Sequence, residues 1–139
     1  MANRTWVFDP HTGGSKIPEA VRLDTVARLE KHAAARFAGR YTRLGVRFRG
    51  PLCYIDAYTE AVEPSDALLE NTRETREEFL ERLNSTPTHL CRLRYFDKDR
   101  WSLAFYTYSN EKYTPCAFRN GTFFGTPEEA LDIGGMYLS

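Results

Sequence analysis

Several things are scarce in these 139 residues, and each scarcity excludes something. No apolar run approaches the roughly 18 residues of a membrane span. The opening MANRTWVFDP has no apolar stretch behind a basic start, so it does not read as a secretory leader. There are three cysteines with no CxxC spacing, which fits reduced thiols in a cytoplasmic protein better than a disulfide framework. Lysine is rare, four residues against fifteen arginines. Net charge is zero, where a dedicated nucleic-acid binder usually carries a basic excess. The loop Asp9-Pro10-His11-Thr12-Gly13-Gly14-Ser15-Lys16 lacks the spacing of a phosphate-binding P-loop.

What is present is a globular composition, 42% apolar and 14% aromatic with eight tyrosines. The charge is unevenly spread. Residues 1–59 hold ten basic and five acidic side chains, whereas residues 60–84 hold three and eight. The two parts could cancel by contact. The arginine excess is either a genomic bias or a tool for planar anions, which the guanidinium fork holds better than an ammonium does.

Periodicity predicts an α+β domain over 17–139, preceded by an extended lead-in over 1–16. A first helix starts at Ile17-Pro18-Glu19, carries the stripe Val26, Leu29, Ala33, Phe37 and stops at Gly39. Residues 41–49 and 52–59 alternate as two strands. A single acidic helix follows, capped by Ser65 and striped by Leu68, Thr72, Phe79 and Leu83. A second hairpin spans 89–96 and 101–109. A third spans 113–119 and 122–125, turning on Asn120-Gly121. A last helix begins with the capping-box pair Thr126 and Glu129 and weakens at Gly134-Gly135. The expected architecture is a mostly antiparallel sheet of five to six strands with two or three helices mainly on one face.

The first hairpin carries the sharpest signal. A turn on Gly50-Pro51 pairs Phe48 with Cys53, Val46 with Ile55 and Leu44 with Ala57 on one apolar face. The other face sets Arg47 against Tyr54 and Arg43 against Tyr58. Asp56 then lies opposite Gly45, in a notch with Arg43 and Arg47 as diagonal neighbours. If the second hairpin has an odd loop or a bulge, Cys91, Leu93, Tyr95, Trp101, Leu103 and Phe105 join the core. Arg92, Arg94, Tyr106 and Tyr108 then extend the polar face. The candidate binding face is therefore Arg43, Arg47, Arg49, Tyr54, Asp56, Tyr58, Arg92, Arg94, Tyr106 and Tyr108. Whether the acidic helix covers it is left open by the sequence.

Three functions compete, the first two of them for this face. One is a small non-enzymatic interaction domain that binds a protein partner or a second copy of itself, since Tyr and Arg are the residues of interface hot spots. The alternative is single-stranded nucleic acid or another anionic ligand, with tyrosines for stacking. The third is an enzyme built on His11, Asp9 and Lys16, or on Asp56 with Arg43 and Arg47. No cofactor is expected. A zinc site from His89, Cys91, Cys53 and Cys116 is not expected, because the spacing matches no zinc signature and small buried cysteines are ordinary core residues. His32, among alanines, reads as exposed.

The segments RFRGPLCYIDAYTE, HLCRLRYF with WSLAFYTYS, and FFGTPEEALDIG also resemble a small family of uncharacterised bacterial proteins. That resemblance implies a soluble bacterial protein and attaches no activity.

Overall fold

A computed structural model describes residues 12–60 and 63–138. Helix α1 (Glu19–Arg36) is followed by strands β1 (Arg43–Arg49) and β2 (Leu52–Tyr58), then helices α2 (Asp66–Thr72) and α3 (Arg76–Ser85). Strands β3 (Thr88–Asp97), β4 (Arg100–Thr107) and β5 (Lys112–Cys116) come next, and helix α4 (Pro127–Gly134) runs into a 3₁₀ turn over Gly135–Leu138. The five strands form one antiparallel meander in chain order. Among the described residues, no helix is long and apolar enough to cross a membrane.

The core lies between one face of the sheet and helices α1 and α4. Cys53, Ile55, Ala57, Leu90, Cys91, Leu93, Trp101 and Leu103 from the strands meet Leu29 and Ala33 of α1 and Ala130 and Leu131 of α4. Polar clamps hold the two helices together. Arg28 forms a bidentate pair with Glu128 at 2.7 and 2.8 Å and reaches Asp99 at 2.8 Å. His32 lies 2.8 Å from Asp132, so it is half-buried and partnered rather than exposed. The helical spacing of α1 points His32 at α4, which the alanines around it do not reveal.

Close approach explains the end of α4. A Cβ on Gly134 would fall 2.9 Å from Cys91 Sγ, and one on Gly135 would fall closer still to Phe37 Cζ. These glycines let the helix end press onto β3 and onto the residue that caps α1.

Two expectations about elements need correction. The acidic stretch is two helices, so the described residues hold four α-helices. Arg73 adopts a left-handed conformation at φ 58° and ends α2, and a capping box between Thr75 and Glu78 opens α3. Of the expected stripe, Phe79 is buried while Leu68 is exposed. The expected third hairpin of 113–119 with 122–125 does not form: β5 (Lys112–Cys116) pairs with β4, and no strand follows it among the described residues. Asn120-Gly121 does sit in a tight turn, with Gly121 at φ +83° and Asn120 Oδ1 accepting from Thr122 N–H at 2.9 Å. But the chain beyond it bridges to β4 through Gly125 and Trp101 instead of pairing with β5.

Candidate functional site: the arginine–tyrosine face

The first hairpin has the register its turn implies, with Arg43 opposite Tyr58, Gly45 opposite Asp56, and Arg47 opposite Tyr54. In the second hairpin an irregularity between Tyr95 and Asp97 keeps Cys91, Leu93 and Tyr95 against Phe105, Leu103 and Trp101. Alternation sets Arg43, Arg47, Arg49, Tyr54, Asp56, Tyr58, Arg92, Arg94 and Tyr106 on the sheet face away from the core strand residues, and Tyr108, just beyond β4, reaches β3 through His89.

Each arginine on it has a distinct job. The Arg43 guanidinium stacks on Tyr58, 3.6 Å from the ring centroid. Arg47 lies 4.9 Å above Tyr54 and donates to Asp56 Oδ2 at 3.3 Å. Arg92 reaches across β4 to stand 5.4 Å over Tyr113 of β5. The small residue opposite Arg92, Ala104, makes that crossing feasible. Arg94 instead donates to the carbonyl of Gly13 at 2.9 Å, tying the lead-in to the sheet. Arg49 is exposed at the end of β1. A guanidinium stacked on a ring keeps its N–H edge available to an anion, so these stacks aim donors as well as cover rings.

The notch around Asp56 is filled differently from expectation. Its carboxylate is only 4% exposed, and a buried charge needs more than one partner. The second partner is His89, whose Nδ1 lies 2.8 Å from Asp56 Oδ1. Simple alternation puts His89 on the core face with Cys91. A register shift between Ile55 and Asp56 breaks that alternation: Ile55 pairs with Cys91, but Asp56 pairs with His89. The extra residue, Leu90, turns into the core, and both Leu90 and Cys91 are fully buried. Tyr108 stabilises the bulge. Its hydroxyl accepts from His89 N–H at 2.6 Å and donates to His89 C=O at 3.3 Å.

Tyr113 is the other residue that sequence reasoning passed over, although it alternates correctly in β5. Its ring meets Tyr54 at 5.5 Å, Tyr106 at 5.1 Å and His89 at 6.4 Å. Burial, followed by the nearby Asp56 carboxylate, pushes its phenol up to about 12. Tyr106 also stacks against His89 at 4.8 Å, and its carbonyl accepts from the Tyr137 hydroxyl.

Together Arg47, Arg49, Tyr54, His89, Tyr106 and Tyr113, with Phe48, line a cavity of about 510 Å³. No residue of α2 or α3 lines it. With His89 Nδ1 committed to Asp56, Nε2 is the nitrogen left for a ligand. The site can thus offer guanidinium donors, phenol hydroxyls, one imidazole and ring edges to an anionic group. A larger groove of about 780 Å³ runs between the start of α1 and β1, where Lys16, Arg22, Leu23 and Phe48 lie. Lys16 therefore sits away from the Asp56 cluster, while Asp9 and His11 lie outside the described residues.

The cysteines stay apart from this surface. Cys53 and Cys91 are buried in the core, and burial pushes the Cys53 thiol up to about 12. Among the described residues, no group of three or more His, Cys, Asp or Glu side chains is placed to hold a metal. No family model, no curated protein and no solved structure matches this chain.

Proposed function

We propose that the chain is a small non-enzymatic interaction domain, and that its arginine–tyrosine sheet face grips an acidic protein partner. One observation carries this reading. The helices that pack on the sheet, α1 and α4, both lie on the opposite face, while the polar face presents exposed, ring-stacked arginines. Arginine and tyrosine are enriched among the residues that dominate interface energetics. Asp56 and His89 fix the middle of the surface, so a partner meets a preorganised array.

Poly-L-glutamate is a suitable probe. Its titration, followed by tyrosine fluorescence, is expected to saturate at low salt and to weaken as salt rises. Replacing Arg43 and Arg49 by alanine is expected to abolish saturation. Equal binding by that variant would remove the proposal.

The cavity favours a second reading on the same face. Three tyrosines and a histidine around about 510 Å³ suit a planar ring attached to an anion, as in single-stranded nucleic acid. That reading predicts binding of an oligothymidine that falls steeply with salt and is lost in the Arg43→Ala, Arg47→Ala double variant. Salt-insensitive or absent binding would discard it.

A further inference from the structure

We propose that the acidic partner of this face is a second copy of the chain, with each copy placing its α2–α3 arm on the arginines of the other about a two-fold axis. The proposal rests on reading the face as a protein-binding surface, and it names the partner.

The arm carries surplus negative charge. Two of its three arginines are spent within the arm and its approach: Arg76 pairs with Glu63, and Arg82 pairs with Glu74 at 2.9 Å. Glu78 is used in the capping box. Asp66, Glu70, Glu77 and Glu81 remain exposed. Among the described residues, no carboxylate of the arm pairs with Arg43, Arg47, Arg49 or Arg92 of its own chain. The surplus acids of the arm are thus not answered by the arginine face of their own copy.

The two surfaces are contiguous. Leu83 and Thr86 at the end of the arm share a shallow cavity of about 360 Å³ with Tyr108 of the face, along with Thr59, Glu60 and Thr88. One patch therefore has an acidic half beside a basic half. Such a patch is self-complementary under a two-fold rotation, which lays each acidic half on a basic one. Opposite potentials steer the encounter and fix the register. Leu68 at 42% exposure and Tyr108 at 45% supply apolar anchors, one on the arm and one on the face.

Sedimentation of the full chain tests this. A monomer–dimer equilibrium is expected at about 20 mM salt, weakening on the order of tenfold or more by about 300 mM. An arm variant (Glu77→Lys, Glu81→Lys) and a face variant (Arg43→Glu, Arg49→Glu) should each be monomeric. Mixed together they should form a one-to-one dimer, because both contacts are again between opposite charges. If either variant fails to fold by circular dichroism, Glu77→Gln with Glu81→Gln replaces charge reversal and should weaken the dimer. A wild type that stays monomeric overturns the second copy as partner. Poly-L-glutamate then decides the broader reading separately: arginine-dependent binding keeps the face as a protein-binding surface, and no binding removes that too. A dimer that survives both reversals uses another surface and also overturns the proposal.

Discussion

His89 Nδ1 and Asp56 Oδ1 stand 2.8 Å apart because Leu90 is an extra residue in β3. A side chain that alternation would bury is delivered to the polar face, where it completes the solvation of a buried carboxylate. His89→Ala should therefore cost about 2 kcal/mol, since it strips Asp56 of a charge-assisted hydrogen bond and leaves Arg47 as its remaining side-chain partner. Urea unfolding measures this. A loss within experimental error would mean that Asp56 does not depend on the histidine.

Tyr108→Phe tests the bulge from its backbone side. It removes a hydroxyl that serves both the N–H and the C=O of His89. A loss of about 1 kcal/mol is expected. Hydrogen exchange at the His89 amide should accelerate beyond the amount that the global loss explains. An unchanged amide would show that the hydroxyl does not hold it.

This pair of contacts also shows where the sequence stopped being legible. The first hairpin could be read residue by residue, because Gly50-Pro51 fixes the turn and the apolar set fixes the face. The bulge could not, because Leu90 and Cys91 are adjacent apolar residues and either can be core. His89 consequently fell on the wrong face and out of the expected site. Tyr113 was missed for a different reason: it lies on the short edge strand that the third hairpin had absorbed. The break between α2 and α3 had a signal, the spacing of Thr75 and Glu78, but no glycine or proline marks Arg73 as a left-handed stop.

Glu128 links the fold to pH. Burial is the largest single influence and opposes its ionisation, but hydrogen bonds from Arg28 and from its own backbone N–H, together with the positive charge around it, jointly outweigh burial and hold its carboxyl below the ordinary range. A depressed carboxyl contributes stability that is present above the unfolded pKa and lost as pH falls through the folded one. Glu128→Gln should cost about 1 kcal/mol at neutral pH, with partial exposure discounted. It should also flatten the decline in melting temperature below about pH 4.5. A variant that declines as steeply as the wild type would contradict this.

Tyr113 should titrate late. Its raised pKa, about 12, means that the folded state keeps a proton the unfolded chain releases near 10. The associated stability is full below about pH 10 and is lost as pH rises through about 12. In absorbance titration at about 295 nm, Tyr113→Phe should remove a late step. Disappearance of an early step instead would reverse the assignment.

Gly134→Ala is expected to destabilise the fold by about 1 to 3 kcal/mol, because the new methyl meets Cys91 Sγ and the Leu90 backbone. Cys91→Ala should cost less in that background than alone, since it clears the sulfur. Strict additivity in the double-mutant cycle would show that the two residues do not press on each other.

The meander leaves β1 and β5 at the rims of the sheet, and what those strands carry limits how copies can meet. An open rim invites a neighbouring chain to continue the ladder, which is the first step toward uncontrolled aggregation. Pro115 sits in β5 opposite Ala104 and has no N–H to offer. Arg43, Arg47 and Arg49 line β1 with like charge, so two such rims repel. The arginines therefore guard the rim as well as furnish the face, and copies that associate are directed away from strand addition and onto the flat of the sheet.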